Sequence, residues 1–332
     1  MTAASSQSPA VAVECYKIYC ATVAIHRNLL QNHCDTIYDT IGQTQLQVLC
    51  PPDFQRTTSI HPHIDIPLIL KLARTKWLAS IIIYIDTSPS TQDILRKIFH
   101  SLRCPGILAI TNKQTGGRGR RGSSWSSPEG ALTFSIRLPI REDPKKLVFL
   151  QYIAALAIAE CLSRYKGWDK LPLRIKWPND VLLDDIKVGG ILCETVMVDQ
   201  VFWVTLGIGI NLFNDYPTAS LNTALKKIDP NAKLLKKETF LIAFLESFEK
   251  IFDIFNKFGF NPLKERYLSK WIHSGQLIRL EKFEGKEGQV VGLSKDGFIR
   301  IRISTENGDE FVELEPDSTS FDFAKGIIRD KT

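Results

Sequence analysis

The alternation of apolar and polar positions changes texture three times along this chain. Up to about residue 76, short apolar runs are broken by His, Pro and Thr, as in Ile60-His61-Pro62-His63-Ile64, and no long helical period appears. From Ile81 the pattern sharpens. Ile81 to Ile85 is an unbroken apolar run of strand length, and Ser90-Thr91-Gln92-Asp93 supplies an N-cap and a capping acid for a helix through Ile94 to Phe99. Gly106 to Ile110 and Ala131 to Leu138 predict strands on either side of a glycine-rich stretch, and Asp143-Pro144 opens a helix running to Tyr165. Leu173 to Trp177, Lys187 to Val198 and Phe202 to Leu212 then follow as strands joined by short turns, which favours antiparallel pairing. Glu238 to Phe258 places Phe240, Ala243, Phe244, Phe248, Ile251 and Phe255 on one helical face, a core stripe, and Pro262 to Trp271 adds another helix.

Beyond Trp271 the runs shorten to Gln276–Leu280, Gly288–Leu293, Phe298–Ile303 and Glu310–Leu314, with Asp296-Gly297 and Asn307-Gly308 as hairpin turns. A small β-barrel is expected there. The chain therefore divides into 1–76, to which the sequence assigns no role, a main domain over 77–272, and a C-terminal unit over 273–332.

Composition narrows the classes of function. At 332 residues and 44% hydrophobic content the chain can build one large core with small satellites. Its richest apolar stretch, Leu147 to Leu162, is interrupted by Gln151 and Glu160 and reads as a buried helix, so no membrane partner is expected. A net charge of +6 is modest for this size and argues against a dedicated nucleic-acid binder. Seven cysteines with no Cys-x-x-Cys disfavour both a disulfide framework and a zinc site, pointing to a reducing compartment. His61 and His63 lack a third ligand and read as loop residues, and no metal ligand is assigned. All but one of the six histidines precede residue 101, so histidine acid/base chemistry is not expected. The first thirteen residues are rich in Ala and Ser without Arg, more like a tail than a transit peptide. A cytoplasmic protein is expected, with plastid or mitochondrion as alternatives.

The chemistry concentrates in two places. Lys113-Gln114-Thr115-Gly116-Gly117-Arg118-Gly119-Arg120-Arg121-Gly122-Ser123-Ser124-Trp125 holds four cations and no acid between two strands. Glycines there let backbone N–H groups approach a ligand, and Arg forks match phosphate and carboxylate oxygens. No Gly-Lys-Ser/Thr follows, so this is not a Walker loop, and Gly117-x-Gly119-x-x-Gly122 opens no helix as a dinucleotide site requires. The second place is Lys176-Trp177-Pro178-Asn179-Asp180 with Lys187-Val188-Gly189-Gly190-Ile191-Leu192, where a turn ends one strand and a lysine opens the next. Each piece alone is an ordinary turn or surface lysine.

Together, the cationic glycine loop, Trp125, the Lys-Trp-Pro-Asn-Asp run and the Lys-x-Gly-Gly strand resemble the biotin protein ligases (holocarboxylase synthetases) over roughly Tyr84 to Leu212. The resemblance implies an α+β fold: a mixed, mostly antiparallel sheet flanked by helices, related to class II aminoacyl-tRNA synthetases, with an SH3-like barrel after the catalytic domain. It places Ser90, Thr91, Gln92, Gln114, Gly117, Arg118, Gly189 and Gly190 around biotin, with Gln92 standing where many members have Asn. Gly119, Arg120, Arg121 and Gly122 match the loop that folds over the adenylate, Trp125 and Asn211 lie by the adenine, and Asn179 joins the nucleotide side. Lys187 matches the lysine that contacts both reacting anions. Arg120 joins it in the catalytic set, and Asp180 is the candidate base.

The implied reaction joins biotin to ATP, assisted by Mg2+, as biotinyl-5'-AMP, and passes biotin to a lysine of the biotin carboxyl carrier domains of carboxylases. No winged helix is readable before residue 77, so DNA is not an expected partner. Oligomeric state stays open. Two other functions remain to be weighed: a lipoate ligase or octanoyl transferase on the same scaffold, and an RNA-binding module exploiting the basic loop. Cys193, in an apolar strand, is expected to be a small core residue.

Overall fold

Five consecutive apolar residues, Ile81 to Ile85, can be buried only if both faces of their strand are covered. In the computed structural model they are: Ile82 and Tyr84 join one core cluster, while Ile81, Ile83 and Ile85 join a second with Ile94, Leu95 and Ile98. The structure describes residues 16–20, 46–49, 63–141, 143–163, 165–214, 216, 218–283, 285–316, 319–322 and 327–330. Expectations for residues 1–13 and for His61 lie outside them.

In chain order the elements are β1 (Tyr16–Cys20), β2 (Leu46–Leu49), α1 (Ile66–Leu72), β3 (Ile81–Ser88), α2 (Thr91–Lys97), β4 (Leu108–Gln114), β5 (Ala131–Ile140) and α3 (Leu147–Cys161). There follow β6 (Leu173–Lys176), β7 (Asp180–Leu183), β8 (Ile186–Val198), β9 (Val201–Asn211), α4 (Leu221–Ile228), α5 (Lys237–Phe258) and α6 (Asn261–Lys270). The C-terminal strands are β10 (Leu277–Leu280), β11 (Lys286–Leu293), β12 (Ile299–Thr305), β13 (Gly308–Leu314), β14 (Thr319–Asp322) and β15 (Ile327–Asp330).

Nine strands form one sheet in the order β2-β1-β3-β4-β5-β9-β8-β7-β6. Only β1/β2 and β3/β4 run parallel. The C-terminal strands form a second sheet, β13-β12-β11-β10-β15-β14, antiparallel except for β10/β15 and consistent with the expected SH3-like unit. The expected α+β architecture is therefore the one observed. The helix expected from Asp143 is divided: Asp143 caps a 3-10 turn at Pro144–Lys146, and α3 begins at Leu147 and ends at Cys161. Strand β7 and helices α1 and α4 were not foreseen, each being too short to show a period.

The phenylalanine stripe of α5 packs with α3 into the larger core, as its spacing predicts. That same helix secures the segment before β3. The buried Glu249 carboxylate accepts the backbone N–H groups of Lys76, Trp77 and Leu78 at 2.8 to 3.1 Å, and Glu238 accepts that of Asp65 at 2.7 Å. On the opposite face, Arg137 of β5 is buried under α2 and donates to the carbonyls of Leu95 and Leu102 while stacking on Phe99. Burial lowers this guanidinium to about 10, still cationic at neutral pH, so it complements the carbonyl end of α2.

The Asp296-Gly297 turn of the second sheet is seated on α3. Tyr152 Oη donates to Gly297 O at 2.7 Å and itself accepts from Trp177 Nε1 at 2.7 Å. Trp177 N donates to His273 Nε2 at 3.1 Å, which requires that ring nitrogen to be unprotonated. Burial pushes His273 down to about 4 from 6.5. The unfolded chain therefore binds this proton at a higher pH than the folded one. Stability is full above about pH 6.5 and falls toward pH 4, by up to about 1.4 kcal/mol per pH unit. His273→Gln, which keeps an acceptor, is expected to flatten that part of the curve in urea unfolding at stepped pH; an unchanged slope would contradict the assignment.

Candidate active site

Strand register builds the floor of a cavity. Thr133 of β5 pairs with Gly209 of β9, Gly209 with Gly190 of β8, and Gly190 with Asp180 of β7, so four strands contribute one straight row. Ser135, Gly207 and Leu192 form the neighbouring row. Small residues at the centre leave a hollow of about 240 Å³, walled by the first turn of α2 and by the glycine-rich segment. A Cβ on Gly209 would sit 2.4 Å from the Trp125 ring, so glycine is sterically required there, while one on Gly207 would displace the Gln92 amide, 2.8 Å away.

A β-bulge decides which side chains enter. Asp180 pairs with Gly190 and Val181 with Gly189, but Leu182 pairs with Lys187, leaving Val188 as the extra residue. Without it, Lys187 and Gly190, three positions apart, would face opposite sides of the sheet. With it, Val188 joins the core while Lys187 Nζ reaches the cavity, 2.7 Å from Asp180 Oδ1 and 5.4 Å from the centre of the Trp125 ring.

The glycine-rich segment is a folded hairpin. Trp125 N donates to Gly117 O, Gly119 N to Ser123 O and Ser123 N to Arg120 O. Arg120–Gly122 forms a single 3-10 turn at the tip, with Arg121 at φ 58° and Gly122 at φ 74°. Arg118 makes a forked pair with Asp93 at 2.9 and 3.0 Å and reaches Glu194 at 3.5 Å. Arg120 contacts Asn179 Oδ1 at 3.5 Å, and both Arg120 and Arg121 donate to Pro316 O, two residues past the end of β13.

Helix α2 presents its start to the cavity. Ser90 caps it by accepting from Gln92 N, Thr91 N donates to Gln114 Oε1 at 2.9 Å, and Gln114 Nε2 donates to Ser127 Oγ at 3.0 Å. Gln92 Nε2 donates to the carbonyls of Leu192 and Thr205, anchoring the amide over β8 and β9. Asn179 Nδ2 donates to Ile191 O at 2.8 Å.

Of the residues singled out from sequence, Ser90, Thr91, Gln92, Gln114, Arg118, Gly119, Arg120, Trp125, Asn179, Asp180, Lys187 and Gly190 line the hollow. Five do not. Gly117 sits at the hairpin root, where a Cβ would meet Trp125 O at 2.3 Å, and Arg121 and Gly122 form the exposed tip. Gly189 faces Ile210 and Val181 on the other side of β8. Asn211 is buried, donating to Thr218 Oγ1, which in turn donates to Lys187 O; it supports Lys187 from behind. Cys193, expected in the core, is partly buried and packs against it, and burial pushes its thiol up to about 12. Sequence patterns missed the partners of Arg118: Asp93 read only as a capping acid and Glu194 as an ordinary strand residue, since neither contact is local.

A half-open hollow lined by Lys187, Arg118 and Arg120 suits a small anionic substrate, and comparison with known proteins agrees. Residues 84–211 match the model of the Biotin/lipoate A/B protein ligase family. The chain is 36% identical over 277 residues to biotin–protein ligase 2 of Arabidopsis thaliana, spanning 80% of this chain and 82% of that one. It is 38% identical over 252 residues to the chloroplastic biotin–protein ligase 1 of the same plant, spanning 73% and 67%. Among solved structures, the biotin protein ligase from Aquifex aeolicus in complex with biotin and ATP superposes with a TM-score of 0.55 at 28% identity, over 70% of this chain and 95% of that one.

The chain thus belongs to the biotin–protein ligases, an enzyme family. The lipoate alternative loses ground to these relatives, and the RNA alternative to a hairpin folded over a cavity. Because Trp125 lies flat on Gly209, Gly209→Ala is expected to displace the indole and cost about 1–3 kcal/mol. Tryptophan fluorescence with a urea melt reads both effects; an unmoved spectrum and midpoint would overturn the packing.

Proposed function

We propose that this enzyme joins biotin to ATP as biotinyl-5'-AMP, releasing pyrophosphate, and then transfers biotin to a lysine of a carboxylase's biotin carboxyl carrier domain, releasing AMP. The observation that carries the residue assignment is the Lys187 ammonium standing on the cavity wall between Asp180 and Trp125.

In the first step an oxygen of the biotin carboxylate attacks the α-phosphorus and the bond to pyrophosphate breaks. Two anions must approach, and at ~4 Å with an effective dielectric of ~20 they repel by about 4 kcal/mol. Lys187 and Arg120 offset that repulsion and stabilise the charge that grows on the phosphate. Asp180 fixes the direction of Lys187. Ser90, Thr91, Gln92 and Gln114 surround the biotin end, with Gly190 giving close backbone approach, while Trp125 and Asn179 face the nucleotide.

In the second step the acceptor amine attacks the acyl carbonyl, the carbonyl–phosphate bond breaks, and AMP departs with the electron pair. Asp180 is the group assigned to take the amine proton. Hairpin 117–125 shields the mixed anhydride from water. Among the described residues, no group of three or more His, Cys, Asp or Glu forms a metal cluster. Magnesium would accompany ATP and help neutralise its phosphate charge. The cytosol is the proposed compartment and the plastid the alternative, given the chloroplastic relative. No described helix is long and apolar enough to cross a membrane.

Calorimetry with biotin, and with lipoate as control, in the presence and absence of ATP tests the substrate. Biotin binding tightened by ATP is expected; preference for lipoate would overturn the proposal. Lys187→Ala is expected to lower biotin-dependent pyrophosphate exchange by about 10²–10³-fold with an unchanged melt. Exchange at the wild-type rate would remove Lys187 from its role.

A further inference from the structure

Hairpin 117–125 is tied at its tip by long contacts of Arg120 and Arg121, 3.3 to 3.5 Å, to Asn179 and Pro316. Three backbone hydrogen bonds close it, and Gly117, Gly119 and Gly122 give its chain more conformational freedom to lose than other residues would. Its root nevertheless carries a well-formed charged contact. The Arg118 guanidinium meets both oxygens of Asp93 in parallel N–H···O bonds of 2.9 and 3.0 Å, with Glu194 beside it at 3.5 Å and Arg96 on the far side of Asp93 at 2.5 Å. Two acids and two guanidiniums balance. Arg118 thus has two carboxylate partners, one of them forked, in the ligand-free protein.

The anchor on the other side is rigid. Asp93 lies in the first turn of α2, whose opposite end is clamped by the buried Arg137. The Asp93 side chain is only 14% exposed, so solvent screens this contact less than an ordinary surface pair. Burial by itself would raise the Asp93 carboxyl, yet Arg118, together with Arg96 and Lys97, holds the group below its usual range.

We propose that Asp93, supported by Glu194, is a positioning residue: it staples Arg118 so that hairpin 117–125 stays folded over the cavity and the acyl-adenylate is retained until an acceptor lysine arrives. The retention half rests on the reaction proposed above; the staple itself does not. Arg118 serves as a strut, and the anion-facing work falls to Arg120 and Lys187.

Trypsin is a natural probe, because the hairpin contains Arg118, Arg120 and Arg121. In ligand-free protein, Asp93→Asn, which is isosteric and leaves the Ser90 cap in place, is expected to speed cleavage after Arg120 and Arg121 by about 5-fold or more. Glu194→Gln gives a smaller increase. Arg118→Gln matches Asp93→Asn, and the double variant adds little to either, as coupled residues do. With biotin and ATP but no acceptor, Asp93→Asn should release free biotinyl-adenylate about 10-fold faster while pyrophosphate exchange stays within about 2-fold of wild type.

Unchanged hairpin cleavage in Asp93→Asn and Glu194→Gln, or fully additive effects in the double variant, would overturn the staple. Should Asp93→Asn be cleaved faster throughout the chain, Glu194→Gln alone decides. A wild-type enzyme that forms no adenylate would defeat the proposed reaction, while the ligand-free proteolysis still judges the staple on its own.

Discussion

The bulge in β8 determines where positive charge can stand in this protein. A regular strand sends alternate side chains to opposite faces, so Lys187 would have pointed into the α3 side of the sheet, among apolar neighbours where an ammonium is costly. One extra residue, Val188, reverses that parity. The apolar side chain takes the buried place, and the lysine emerges beside Asp180 in a hollow made by glycines on β8 and β9. The Lys187–Asp180 pair on the cavity wall follows from that one irregularity in the β7/β8 ladder.

Around the hollow, floor and cover are built differently. Floor residues belong to strands in the middle of a nine-stranded sheet backed by the α3/α5 core. The cover is a glycine hairpin held at its root by Arg118 with Asp93 and Glu194, and at its tip by arginine contacts to Pro316. A site that forms a reactive anhydride benefits from this division, since the reacting groups need fixed geometry while the cover must open to admit an acceptor. Turns flanking the second sheet's strands take part as well: Pro316, past β13, meets the hairpin, and Gly297, before β12, is seated on α3.

Much of the fold was legible in the chain. The apolar run Ile81 to Ile85, the phenylalanine stripe of α5 and the Asp-Gly and Asn-Gly turns of the last strands each carry a period or turn chemistry strong enough to survive tertiary context. Short elements such as α1, α4 and β7 were not legible, because seven, eight or four residues hold too few periods to stand above chance. In the site, Arg118 and Arg120 stood out by type and crowding, while Lys187 and Trp125 took their roles from the resemblance to the biotin protein ligases. Asp93 and Glu194 escaped, being separated from Arg118 by 25 and 76 positions.

By itself, the sequence determined which groups this protein has for its chemistry: a cationic glycine segment, an indole, a Pro-Asn-Asp turn and a lysine opening a strand, with enough apolar surface to bury a sheet beneath them. Tertiary structure alone decided their use. Strand register aligned Thr133, Gly209, Gly190 and Asp180, a bulge turned Lys187 toward them, and long-range ion pairing made a strut of Arg118 while leaving Arg121 at the exposed tip. The reason is physical: local patterns record what each residue prefers, whereas the facing of a side chain and the sign of its neighbour depend on strands brought together from distant parts of the chain.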